Sequence, residues 1–205
     1  MRARYRPVIA GAAAVALLAG SVSCGDVVRQ GKAPVLVVGD SMQVASGAEP
    51  GNMGSFLLSD VLTIVDDNSV IFNDVAQATM RLIAKDAGTG AVALAPSAWN
   101  SVTIHRYHIT FFRSDGRNTP GVDVPFATDG AVTVTLTPAP TVVPFEIVRH
   151  QQKLEQPLRS LANFGGRLFI TTMAEITFYG ADQVGNEVQA KAMMNVSFSD
   201  YADPD

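Results

Sequence analysis

Strict two-residue alternation, repeated in widely separated runs, is the property that most constrains what this chain can fold into. In AVTVTLTP, Val132, Val134 and Leu136 share one side while Thr133, Thr135 and Thr137 share the other, as a strand with one buried and one solvated face requires. The same parity runs through DVAQATMRLIAK, with Ala76, Ala78, Met80, Leu82 and Ala84 opposite Gln77, Thr79 and Arg81. It returns in Leu168, Ile170, Ala174, Ile176 and Phe178, and again in Val188, Ala190, Ala192, Met194, Val196 and Phe198. A helix cannot bury such a set, because its period is near 3.6. The chain must fold largely as sheet.

Runs near 35–45, 58–64, 73–85, 102–114, 130–137, 142–149, 168–180 and 187–199 predict seven or eight strands. Their number and spacing predict a sandwich of two antiparallel sheets. YGADQVGNE separates the last two runs, and its Gly185 and Asn186 tolerate positive φ, so a C-terminal hairpin is expected there. Gly39-Asp40 is read as a bulge or kink in the first strand. Val102 and Ile104 imply one inward parity and Tyr107, Ile109 and Phe111 the other, which requires a bulge near His105-Arg106. One helix signal is present, in QKLEQPLRSLANFGG, with Leu154, Leu158 and Leu161 on one face, Gly165-Gly166 as a stop and Pro157 limiting it to about two turns.

The first 23 residues belong to a different class. Arg2, Arg4 and Arg6 precede the apolar run PVIAGAAAVALLAG, followed by SVSC, which is the layout of an export signal. The apolar run is shorter than the roughly twenty residues a spanning helix needs. Cys24 is the sole cysteine, so no disulfide can form within the chain. SVSC resembles the end of bacterial lipoprotein signals, with Ser21 where that family usually has leucine. The resemblance implies cleavage before Cys24 and acylation of its thiol. The expected organisation is a signal peptide over 1–23, a lipidated tether over 24–34 and one domain over 35–205. The expected location is the bacterial cell envelope, with the chain held to the membrane by its N-terminal lipid.

Without the leader, twelve Lys and Arg stand against nineteen Asp and Glu, a net charge of −7. That balance, with no basic run, argues against nucleic acid or an anionic lipid surface as partner of the folded body. The segment ITFYGADQVGNEVQAKAMMNVSF resembles the closing hairpin of bacterial immunoglobulin-like domains, in which an Asp-x-x-Gly-Asn turn separates the final two strands. The chain as a whole resembles uncharacterised bacterial lipoproteins carrying an immunoglobulin-like β-sandwich. The fold class expected is therefore mainly β, an immunoglobulin-like antiparallel β-sandwich with one short helix.

Chemistry-bearing residues are sparse. VLVVGDSMQVASG resembles the first block of SGNH (GDSL) esterases and lipases, which would make Ser41 a nucleophile. Such a serine needs a base within reach and preorganised donors for the oxyanion. In that family the serine opens a helix, a Gly-x-Asn-Asp block follows, and an Asp-x-x-His supplies acid and base. Here Gly47, Pro50, Gly51 and Gly54 break any helix after Ser41, Ile71 stands where glycine is wanted before Asn73-Asp74, and no histidine has aspartate three residues before it. Serine hydrolysis is thus the alternative reading, and no catalytic residue is assigned.

His105 and His108, three apart on a strand, point to opposite faces unless the bulge intervenes, and no set of zinc ligands accompanies them. Asp66, Asp67 and Asp74, with neighbouring Asn68 and Asn73, and Asp115, Asn118 and Asp123 in a second loop, are weak calcium candidates. Both stretches also read as ordinary turn chemistry. No cofactor is expected. Trp99 and Tyr107 are candidate binding residues, because exposed rings stack on sugars or meet protein partners. The reading the sequence favours is a non-catalytic, lipid-anchored envelope module that binds protein or glycan.

Overall fold

The structure is a computed structural model and describes residues 32–86 and 95–201; the expected leader, Cys24 and most of the tether lie outside them. The fold is mainly β. Its strands are β1 (Val35–Ala45), β2 (Leu57–Asp60), β3 (Thr63–Val65), β4 (Asn68–Val70), β5 (Asp74–Ala84), β6 (Val102–Phe112), β7 (Thr128–Leu136), β8 (Thr141–Val148), β9 (Phe169–Asp182) and β10 (Glu187–Ser199). They form a three-stranded sheet in the order β1-β5-β8, a five-stranded sheet in the order β2-β10-β9-β6-β7, and the separate β3-β4 hairpin.

Two expectations need correction. Ten strands are described rather than seven or eight, because the run near 58–64 divides into β2 and β3 and is followed by β4. Asp66 and Asp67, both at positive φ, make the tight two-residue turn between β3 and β4. The sheets are also not wholly antiparallel. After β1 pairs with β5, the chain crosses over and β2 pairs in parallel with β10, Leu57 opposite Val196 and Asp60 opposite Ser199.

The alternating rows supply the core. Ala76, Ala78, Met80 and Leu82 of β5, Ala174, Ile176 and Phe178 of β9, and Met194, Val196 and Phe198 of β10 are all buried. Phe145 of the three-stranded sheet lies 5.2 Å from Tyr107 and 5.2 Å from Phe178 of the five-stranded sheet, centroid to centroid. Each buried ring contributes about 1.5–3 kcal/mol through area removed from water, and each tilted or edge-on pair adds about 0.5–1.5 kcal/mol. Those rings therefore join one sheet to the other.

Both expected bulges are present. The β1-β5 register shifts between Gly39 and Ser41, leaving Asp40 as the extra residue, where its carboxylate meets Arg81 at 2.8 Å. β6 shifts between Ile104 and Arg106 against both neighbours. That shift lets Val102 and Ile104 on one side of the bulge, and Tyr107, Ile109 and Phe111 on the other, all point inward.

The helix differs from expectation. α1 (His150–Leu154) ends before Pro157, and a separate 3-10 turn, Leu158–Leu161, follows it. Leu158 and Leu161 are buried while Leu154 is exposed. The backbone is extended at Glu155, which ends the helix before Leu158, so the three leucines do not share one helical face.

The closing hairpin turns as its sequence predicts. Gly185 has φ +86°, and Asp182 Oδ1 accepts hydrogen bonds from the N–H groups of Val184 at 3.0 Å and Asn186 at 2.8 Å. Nothing crowds the Gly185 position, so the cost of a side chain there is conformational. Gly185→Val should destabilise the domain by on the order of 1 kcal/mol or more, read as a lower urea midpoint; an unchanged midpoint would contradict the turn geometry. Partial burial raises the Asp182 pKa, but hydrogen bonds from the Asn186 side chain and from the turn N–H groups outweigh it, and the net shift is downward. A depressed carboxylate stabilises the fold above its unfolded pKa near 3.9 and loses that contribution as pH falls through the folded value. The stability gap between wild type and Asp182→Ala should therefore be present at pH 6 and shrink below about pH 4.

Candidate functional site

Ser41 sits within β1, opposite Thr79 of β5, and the strand continues to Ala45 instead of turning into a helix. The cavity beside it, about 210 Å³, is bordered by Asp40, Met42, Met80 and Lys191, with no histidine among its lining residues. Asp40 is held by Arg81, and Lys191 Nζ donates to Glu175 at 2.8 Å. An unactivated hydroxyl is a poor nucleophile. The protein should therefore resist labelling by a fluorophosphonate probe under conditions that label a serine esterase to completion; stoichiometric labelling at Ser41 would establish the hydrolase reading.

The histidines do not converge. His105 is the exposed residue of the β6 bulge. His108 Nδ1 lies 3.2 Å from Asp129, which also receives a hydrogen bond from Arg106. His150 Nδ1 faces Asn73 Oδ1 at 2.9 Å. Among the described residues no group of three or more His, Cys, Asp or Glu side chains converges to hold a metal ion.

The calcium candidates do not come together. Asp66 and Asp67 are exposed in the β3-β4 turn, whereas Asp74 is fully buried at the start of β5. The Asp74 carboxylate accepts hydrogen bonds from Lys153 Nζ at 2.8 Å, Ser59 Oγ at 2.6 Å and Gly47 N at 3.0 Å. Lys153, in α1, is equally buried. Burial pushes the Asp74 carboxyl upward, opposed by the charge and hydrogen bond of Lys153. Asp60 is likewise raised by burial, opposed by Thr63 and the N–H groups of Tyr201 and Leu62. In the second loop, Asp115 is held by Arg113 at 2.6 Å and Arg117 at 2.9 Å, and Asn118 and Asp123 accept backbone N–H groups. These oxygens serve the loops that carry them.

The two aromatic candidates have opposite fates. Tyr107 is a core residue, 4% exposed, packed on Phe145 and Phe178 and pressed against Gly130, where a Cβ would overlap its ring. It is not available to stack on a ligand, because the β6 bulge turns it inward. Trp99, in the short 3-10 turn Ala98–Asn100, is 83% exposed. It borders a cavity of about 240 Å³ with Pro34 and Val184. Gln183 Nε2 donates to Ser101 Oγ at 2.6 Å and holds the β9-β10 turn beside this segment.

A second surface was not singled out from the sequence. On the outward face of the five-stranded sheet, β9 presents Phe169, Thr171 and Met173, and the register sets Met173 between Asn195 of β10 and Phe112 of β6. Phe169, Met193 and Leu58 are exposed on this sheet. The signal was legible only in part, since Met193 and Phe169 are the outward partners of rows chosen for their inward members. No helix among the described residues is long and apolar enough to cross a membrane. No protein-family model matches the chain, and no curated protein matches it in sequence.

Proposed function

We propose that this protein is a non-catalytic module, attached through an acylated Cys24 to the bacterial cell envelope, that binds a protein or glycan partner with the outer face of its five-stranded sheet. The observation that carries the reading is the exposure there of Phe169, Met193 and Leu58 beside Met173 and Phe112. Methionine and aromatic side chains are enriched at protein interfaces and adapt well to a partner surface, so a protein is the favoured partner. Strand order supports an immunoglobulin-like sandwich. With β1, β5 and β8 taken as strands A, B and E, and β10, β9, β6 and β7 as G, F, C and C′, the two sheets follow the arrangement of such domains. Export and anchoring rest on the leader pattern and Cys24.

A photo-crosslinking residue at position 193, displayed in its native envelope, should capture a discrete partner, whereas one at Val142, exposed on the other sheet, should not. With the crosslinker at 193, Met173→Asp on the same face should reduce capture about tenfold, the effect of losing roughly 1.4 kcal/mol of binding. Equal capture from positions 193 and 142, or none from 193, would remove the outer sheet face as the binding surface.

A further inference from the structure

We infer that the Trp99–Val184 end of the domain rests on the membrane to which Cys24 anchors the chain, with Trp99 seated in the lipid headgroup region. The inference rests on the anchored reading above. Both side chains are 83% exposed, although they belong to residue types that ordinarily gain from burial. They come from two connections held side by side, the one entering β6 and the β9-β10 turn, linked by the Gln183–Ser101 hydrogen bond.

What selects a membrane as the occupant is where the tether leaves the fold. Pro34 lines the same cavity as Trp99 and Val184, its carbonyl accepts the Lys85 N–H at 3.0 Å, and Ala33 is buried. The chain is therefore fixed at this end from Ala33 onward. Cys24 lies nine residues before Ala33, which limits the separation from the acylated residue to roughly 30 Å at full extension. The opposite end cannot replace it. β9 runs from Phe169 to Asp182, so Phe169 lies about 40 Å along the strand from the Trp99 end.

The chemistry of the patch suits a bilayer interface. Tryptophan is enriched at headgroup depth, where its ring is shielded and its N–H stays hydrated. Charges at this end are mixed in sign: Asp182 is turned into its own hairpin turn, while Lys32, Lys85 and Asp86 are exposed beside the start of β1. One tryptophan and one valine bury too little area to retain a protein at a membrane. The patch orients the domain and leaves retention to the lipid.

Trp99 is the single tryptophan of the chain, so its fluorescence reports this contact alone. The acylated full chain, purified from envelopes and shown by mass to carry its lipid, is reconstituted into phosphatidylethanolamine–phosphatidylglycerol vesicles with or without brominated acyl chains. Emission should shift to shorter wavelength, quenching by aqueous acrylamide should fall severalfold, and brominated lipid should quench the signal at least twofold. The double variant Trp99→Phe, Phe169→Trp, equally acylated, should show none of these changes. An acylated wild type whose Trp99 remains fully open to acrylamide and unquenched by brominated lipid overturns the inference while the anchor stands, and leaves that end to an envelope protein or glycan. Equal quenching at positions 99 and 169 overturns the orientation. A chain recovered without acyl groups overturns this inference and the anchored reading together.

Discussion

Lys153→Met should destabilise the domain by about 3–5 kcal/mol, the cost of leaving one member of a buried ion pair without its partner. Lys153 and Asp74 have side-chain exposures of 1% and 0%, with Nζ 2.8 Å from Oδ1. Without the ammonium, the Asp74 carboxylate keeps two donors, Ser59 Oγ and Gly47 N, and must either hold an uncompensated charge or take up a proton. In a domain of this size the loss should lower the melting temperature by on the order of 10 °C. Asp74→Asn alone should be comparably harmful, since it strands the lysine. The double variant Lys153→Met, Asp74→Asn should be less destabilised than the two single effects added, because the amide oxygen still accepts from Gly47 N, the amide NH2 replaces the second oxygen and donates to Ser59 Oγ, and no charge remains buried. Additive losses would mean that the two side chains act independently.

Cys24→Ala should abolish membrane attachment. A lipoprotein cysteine carries more than one acyl chain, and more than one is needed because a single chain binds only marginally. The folded body offers little in reserve: its net charge without the leader is −7, and it has no basic run. In a bacterial host the wild type should partition into detergent phase and incorporate labelled fatty acid. The variant should do neither. A wild type found soluble, with its N-terminus at some residue other than Cys24, would replace the anchored protein with a secreted domain bearing one free thiol.

Alternation carried most of the fold, because a period of two is a direct statement of which side of a sheet each residue faces. Val132, Val134 and Leu136, and the rows of β5, β9 and β10, lie inward as their parity demands, except Leu168, which precedes β9 and is exposed. Where parity broke, in β6, the break located a real bulge. Short elements were harder to read. β2 has four residues and β3 and β4 three each, too few for a period to establish itself, and a parallel partner 139 positions away in register leaves no local mark.

The polar core was illegible for a related reason. Lys153 stands in a charged, amphipathic-looking stretch and Asp74 in a turn-like Asn-Asp pair. Each looks solvated on its own, and only the fold brings the two together across 79 residues. Tyr107 had an inward parity as well as the chemistry of a binding ring; parity decided its position. Trp99 had no periodic context, so sequence could nominate it without placing it. Phe169 and Met193 went unnominated because the alternation was read for its buried members alone.

If the proposed anchor holds, the crossing of the first segment from one sheet to the other bears on how the domain responds to force. β1 begins at Val35, immediately after the tether, and lies antiparallel along β5 from Val35 opposite Ala84 to Ala45 opposite Val75. A pull from the membrane against a partner held farther up the molecule runs along the axis of β1. The ladder is then loaded in shear, its hydrogen bonds sharing the strain instead of opening one after another. β2, paired with β10 in the opposite sheet, holds the segment beyond the crossing, so sliding β1 free would also drag on the second sheet.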